Sequence, residues 1–446
     1  MKFIICILAV VVWVGLMCSN GWTDDRFASR VADYSNLGAS PYDDPNSALG
    51  RPSLWMKGAP GPGNSDGIFA CSMICGAWNT DPNGNKLITT VKAGGYLTVE
   101  FDKPILDDPA NWFGKDFIVF GNSAFSGAGG YISVDTDMGA YRILNGTSGT
   151  WEPGTVSVSQ DGVTWYTFTS GPFVDDFAPT QAFTWDRDTR CWDIELDPTK
   201  PVNPSLTKAS FAGKTVADAI DLYNGSAGGA AFDISGLPLA VDANGRKWIR
   251  FVRINGGTPA PEVDAVARVS NVPPIATIAD AKRQAEMTGV RIEGVITAGS
   301  SELGNCFYIE SEDRSCGVMV TGRSAERGRK VIVGGVMSAL NGEKRVKAIS
   351  LDDDGEGSAA PLGMSGRTMS GCKIAVGLLV RTWGKVGDVD EAGMTFTVDD
   401  GSGCKVTCIA PNDPWFTLPG NGDFISVTGV CSGGPVLRIR AQDDIN

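Results

Sequence analysis

Thr155-Val156-Ser157-Val158-Ser159 runs into Gln160-Asp161-Gly162, and Thr164-Trp165-Tyr166-Thr167-Phe168 leads away again. The first run alternates hydroxyl and apolar side chains, the period of a strand with one buried face. Asp-Gly between two such runs accepts the positive φ of a tight turn, so the stretch predicts a β-hairpin. Its surroundings read the same way. In Gly95–Phe101, Leu97, Val99 and Phe101 share a face; Asp116–Phe120 is a near-continuous apolar run suited to a buried strand; Trp248–Ile254 and Val263–Val269 are further strands. One helix interrupts them. Thr215 caps it, Asp218 is at its third position, and Val216, Ala219, Ile220 and Tyr223 share a face.

Glycine makes up 57 of 446 residues, well above the usual ~7%, which favours short strands and tight turns. The chain opens Met1-Lys2 and is apolar from Phe3 to Met17, with Ser19 and Gly21 following. This is the layout of a secretory signal peptide over 1–21, too short for a membrane span of ~20 apolar residues. No second such run follows, so the expected mature protein has no transmembrane segment and is secreted or held at the cell surface. The length beyond residue 21 exceeds what one core organises, and two or three domains are expected.

Formal net charge is −13, and residues 22–272 hold 29 acidic against 19 basic side chains. That balance disfavours nucleic acid as a partner. The chain has no histidine, which removes Ser-His-Asp and Cys-His catalysis and histidine-ligated metals. Carboxylate-only chemistry survives, as in many glycosidases. No Cys-x-x-Cys pair occurs among the cysteines beyond the signal, so zinc-ribbon spacing is absent. In an oxidising compartment some should pair, and at least one disulfide is expected in the second barrel, where Cys372 and Cys431 sit near its first and last strands.

After Asn271-Val272-Pro273-Pro274, Thr277 caps a short helix predicted over Ile278–Met287. The rest is an internal repeat. Arg291–Ile296 aligns with Arg381–Val386, Phe307–Glu310 with Thr395–Asp399, and Val331–Val336 with Ile425–Val430. The offset is about 90 residues in each case, so each copy is one small folded unit. Leu351–Ser370, rich in Asp, Gly and Ser, reads as the flexible segment between copies.

The hairpin Val156–Trp165 resembles the strand, S-x-D-G, Trp hairpin of discoidin-like domains, the galactose-binding-like β-sandwiches, and Trp248–Ile254 resembles their late strand. Asp116–Asn122, Trp151–Gly154, Gly228–Asp233 and Pro261–Val266 are similar to a group of bacterial secreted or surface proteins. Gly377–Val386 with Asp399–Gly403 is similar to OB-like modules of bacterial exported proteins. The resemblance implies an all-β chain: a discoidin-like jelly-roll β-sandwich over 22–272, then OB-like barrels over 273–358 and 359–446. It carries no ligand, because no loop motif matches the discoidin contact residues.

The expected function is non-catalytic binding of a glycan or envelope polymer through the sandwich, with the barrels as spacers or secondary binding modules. The alternatives are a carboxylate-dependent carbohydrate-active enzyme, pairing Glu152 with Asp161 or Glu262 with Asp264, and a purely structural envelope protein. Discoidin-like sandwiches often carry a structural cation. Oxygen ligands cluster here at predicted strand ends, and Asp116, Asn122, Asp233, Glu262 and Asp264 are the candidate calcium ligands. The basic cluster Arg323, Arg327, Arg329, Lys330, Lys344, Arg345 and Lys347 reads as a solvated hairpin face.

Overall fold

The structure, a computed structural model, describes residues 24–58, 67–129, 131–371, 375–411 and 413–446. The expected signal peptide and Cys372 lie outside the described residues. The chain is all-β in class and divides into two compact units, ending at Val272 and beginning at Pro273.

The first unit is a β-sandwich. One sheet is antiparallel in the order Arg30–Leu37, Thr89–Leu106, Trp248–Asn255, Thr155–Ser159, Tyr166–Phe168. The facing sheet runs Ala230–Phe232, Phe117–Phe120, Ala265–Arg268. Alternation decides which side chains meet between them. Leu97, Val99, Val156, Val158, Val252 and Ile254 come from the first sheet, and Phe117, Val119, Phe232 and Val266 from the second. Phe117 stacks on Phe232 with centroids 4.7 Å apart. Each such apolar side chain contributes about 1.5–3 kcal/mol by leaving water.

The hairpin forms, but its return strand starts at Tyr166 rather than at Thr164. Asp161 is the reason. Its Oδ1 accepts from the Val163 and Thr164 amides, both at 2.8 Å, and this organises a loop longer than a two-residue turn. Gly162 within it has φ +76°. Those backbone donors pull the Asp161 carboxyl down to about 2.

The single strand expected over Val263–Val269 is two. Glu262–Val263 pairs with Thr89 and Thr90 in one sheet, and Ala265–Arg268 pairs with Phe117–Phe120 in the other. Asp264 makes the crossing. Its carboxylate accepts from the Ser53 amide at 2.9 Å and the Ser53 hydroxyl at 2.7 Å. The helix is Val216–Tyr223, with the Thr215 hydroxyl accepting from the Asp218 amide at 3.1 Å, as read from the sequence.

The second unit holds two five-stranded barrels of one topology. The first runs Gly289–Ala298, Cys306–Glu310, Gly317–Thr321, Glu343–Glu356, Arg329–Leu340 and closes on itself. The second runs Leu379–Asp390, Thr395–Asp399, Val406–Ile409, Val436–Arg438, Phe424–Cys431, closed by pairing of its first and last members. In chain order each is 1-2-3-5-4, with the third and fifth strands parallel. The preceding helix is shorter than expected, Ile278–Arg283.

The acidic run 352–356 is not a flexible linker. It continues the strand Glu343–Glu356, whose Asp352 and Asp353 pair with Ile332 and Val331. Charge pairing explains why a strand tolerates it. Arg329 is ion-paired with Asp353, and Lys330 Nζ lies 2.7 Å from Glu293, 3.1 Å from Glu312 and 3.4 Å from Asp354. Arg327 pairs with Glu302 at 3.1 Å. Three of the seven members of the basic cluster, Arg327, Arg329 and Lys330, are thus paired with acids of their own barrel.

The barrels pack on each other through Ala298, Leu303, Cys306, Tyr308, Met319, Leu379 and Val430. Gly317 and Gly377 meet backbone to backbone; a Cβ on Gly317 would stand 2.1 Å from the Gly377 carbonyl oxygen. The buried Glu310 carboxylate accepts from the Leu379 amide at 2.9 Å. Among the described residues, Cys71, Cys75, Cys306, Cys316, Cys404 and Cys408 are free thiols. No described helix is long and apolar enough to cross a membrane.

Candidate functional site

The five candidate calcium ligands do not gather in one shell. Asp116 starts the Phe117–Phe120 strand and is 1% exposed; its Oδ2 accepts from the Ile234 amide at 2.8 Å and its Oδ1 from Asn111 Nδ2 at 3.2 Å. Asp233 accepts from the Ser235 amide at 2.8 Å in a local turn. Asn122 is buried, and its Oδ1 has no partner among the described residues. Asp264 holds Ser53, as described above. Glu262 alone of the five joins a carboxylate group. With Glu152 and Asp175 it forms the one set of three or more acidic or thiol side chains, among the described residues, whose ligand atoms all lie within 4.8 Å of one another.

Backbone pairing assembles this triad from three distant segments. The Glu152 amide donates to the Asp175 carbonyl at 3.0 Å, and Gly154 and Val174 exchange both of their bonds at 3.0 Å. Asp175 is 2% exposed. Its Oδ1 accepts from the Ser123 amide at 2.7 Å and its Oδ2 from the Glu262 amide at 2.9 Å. Thr90 Oγ1 donates to Glu262 Oε1 at 3.1 Å, while Glu262 Oε2 is buried with no donor among the described residues. Burial, reinforced by the neighbouring carboxylates, pushes Glu262 up to about 10 and Asp175 up to about 7. Three carboxylates this close cannot all be charged, so the group is stable only while it holds a proton or a cation. Sequence spacing had no means of finding it: Asp175 lies in no strand or motif, and Glu152 and Glu262 are 110 positions apart. Neither pair considered for acid–base work forms as such, since Asp161 turns into its own loop and Asp264 onto Ser53.

Asp116 borders something different, a cavity of about 320 Å³. Ile105 and Leu106 form its apolar wall. Asp108, Asn111, Asp116, Arg26, Arg268 and Thr199 supply the polar lining. Every group is held in place. Arg268 Nη2 donates to the Pro104 carbonyl at 3.0 Å; Asp108 accepts from the Ala110 amide at 2.9 Å; Arg26 is fixed by Asp24 at 2.6 Å. Burial raises the Asp116 carboxyl to about 7, with Asp107 and Asp233 adding repulsion of the same sign. At neutral pH that carboxyl is therefore partly protonated and both donates and accepts.

No protein-family model matches the chain, and no curated protein matches it significantly.

Proposed function

We propose that this is a non-catalytic secreted or cell-surface protein that binds a glycan or envelope polymer through its β-sandwich. The cavity beside Asp116 supports the reading. Its volume lies at the lower end of the ~300–1,000 Å³ usual for ligand sites. Its lining mixes carboxyl, amide, hydroxyl and guanidinium groups, the set that pairs with sugar hydroxyls, which donate and accept at once. The discoidin-like resemblance of the hairpin and of Trp248–Asn255 points the same way. The barrel pair serves as a rigid spacer, since Gly317, Gly377 and Glu310 fix one barrel against the other.

A glycan array probed with the full chain and with Arg268→Ala tests this. Arg268 is partly exposed and its side chain, among the described residues, holds one backbone carbonyl, so the variant should fold. Selective binding by wild type, weakened at least tenfold in the variant, is expected. Equal binding by both, or none by either, removes the cavity as the binding site.

Calcium, expected from the acidic strand ends, finds its nearest match in Glu152, Asp175 and Glu262. Three carboxylates supply only part of the six to eight oxygens it takes. The same triad is what favours a carboxylate hydrolase as the second reading, because such enzymes work with paired, closely spaced acids. Release of reducing sugar from any polysaccharide that the array identifies would establish it.

A further inference from the structure

The outer surface of the larger sheet carries an arginine whose environment suits a ligand. Val252 and Ile254 are fully buried in the core, so Arg253 between them points away from it. Its strand partners are Thr98 on one side and Ser157 on the other. The guanidinium carbon stands 4.3 Å from the centroid of Tyr96 and 3.8 Å from that of Trp165, which the 160–165 loop folds back across the sheet. Nε donates to Thr98 Oγ1 at 2.8 Å. Two rings and a hydroxyl therefore fix the plane of the guanidinium. Among the described residues, neither of its terminal nitrogens has a hydrogen-bond or ion-pair partner. Its neighbours are themselves engaged. Tyr96 donates its hydroxyl to Asp33 at 2.8 Å, Asn255 Nδ2 donates to Ser157 Oγ at 2.9 Å, and Ser157 and Thr167 share a bond of 2.7 Å.

An arginine present only to pack a hairpin does not need an open fork. Here its conformational freedom is already spent, and the two free nitrogens lie side by side in the geometry that takes a carboxylate bidentately. We propose that Arg253, clamped by Tyr96 and Trp165, binds the carboxylate of an acidic saccharide, a uronate-type sugar, at a second site on the sheet face. The carboxylate contact follows from this geometry; that a saccharide carries it rests on the proposed function above.

The test uses the full chain and three probes: an oligogalacturonate, its methyl ester, and a neutral oligosaccharide selected by the array. Wild type should bind the oligogalacturonate at least tenfold more tightly than the ester, because esterification removes the charge-assisted pair. Arg253→Lys keeps the charge but loses the fork, and should cost about tenfold or more; Arg253→Gln should reduce binding to the level of the ester. Melting temperatures identify any unfolded variant. If Arg253→Gln fails to fold, Arg253→Lys together with the acid–ester comparison on wild type decides. Equal affinity for acid and ester overturns the proposal, as does full retention of oligogalacturonate binding by folded variants. Binding of the neutral sugar that is lost in Arg268→Ala, with no preference for the acid, would overturn this inference and leave the cavity reading standing. No binding of any saccharide would overturn both.

Discussion

Replacing Glu262 by Gln should stabilise the sandwich at alkaline pH and do nothing in acid. Glu262 ordinarily ionises near 4.5, and burial beside Glu152 and Asp175 raises it to about 10. A carboxyl raised on folding costs nothing below its unfolded pKa, where both states are protonated. Above that, the unfolded chain releases the proton and the folded chain keeps it. Stability therefore falls as pH rises from about 4.5 towards about 10, by roughly 1.4 kcal/mol per unit. At pH 8 the ceiling is about 5 kcal/mol, which the partial exposure of Glu262 reduces to roughly 2–3 kcal/mol. Glutamine carries no such cost, and its amide oxygen still accepts from Thr90 Oγ1. At roughly 2–4 °C per kcal/mol, Glu262→Gln should raise the melting temperature by about 4–12 °C at pH 8 in EDTA, with no gain at pH 4. Differential scanning calorimetry at both values reads it. A lower melting temperature at pH 8, or the same shift at both pH values, would refute a proton held by the triad. Repeating the pH 8 scan with calcium reads the other occupant: an ion at this place stabilises wild type by mass action and leaves the variant unmoved.

Removing the carboxylate of Asp264 by Asp264→Ala leaves the Ser53 amide without its acceptor where the chain crosses between sheets, and should cost about 1–3 kcal/mol in urea unfolding; an unchanged midpoint would show that water replaces the carboxylate. Phe117→Ala removes the ring stacked on Phe232 and should cost about 3–5 kcal/mol, so a loss under 1 kcal/mol would place the core elsewhere. Gly317→Val drives a side chain into the Gly377 carbonyl and should expose the 357–371 stretch to limited proteolysis, with equal cleavage rates counting against a rigid barrel pair. With no histidine to take a nucleophile's proton, no serine should be labelled by a fluorophosphonate, and a labelled folded protein would contradict this.

The all-β class, the hairpin, the helix at Val216–Tyr223 and the repeat after residue 273 are set by local patterns. Alternation such as Val156, Val158 fixes a buried face, Thr215 with Asp218 fixes a helix start, and apolar strands recurring at one offset fix two copies of one fold. These signals act over a few residues, and the chain itself carries them. The turn at Asp161-Gly162 was legible as a turn but not in its length, because the side chain's grip on the Val163 and Thr164 amides lengthened it. The acidic stretch 352–356 looked like a linker because its charges offer no apolar period. Only the pairing of Asp353 with Arg329, and of Asp354 with Lys330, makes it the end of a strand.

The assembly of the candidate sites lies on the tertiary side. Glu152 and Glu262 stand out in the sequence as carboxylates, but with other partners, and nothing near Asp175 marks it as more than a surface acid. Two sheets and their connections had to form before three carboxylates met out of water. In the sequence Arg253 is one residue of the strand Trp248–Ile254; Trp165, held over it by the hairpin loop, makes it a fixed and open guanidinium. The apolar pattern along a strand records which face is buried because burial is decided residue by residue. Which polar groups converge is decided by how strands pair, and that information is held between segments of the chain rather than within them.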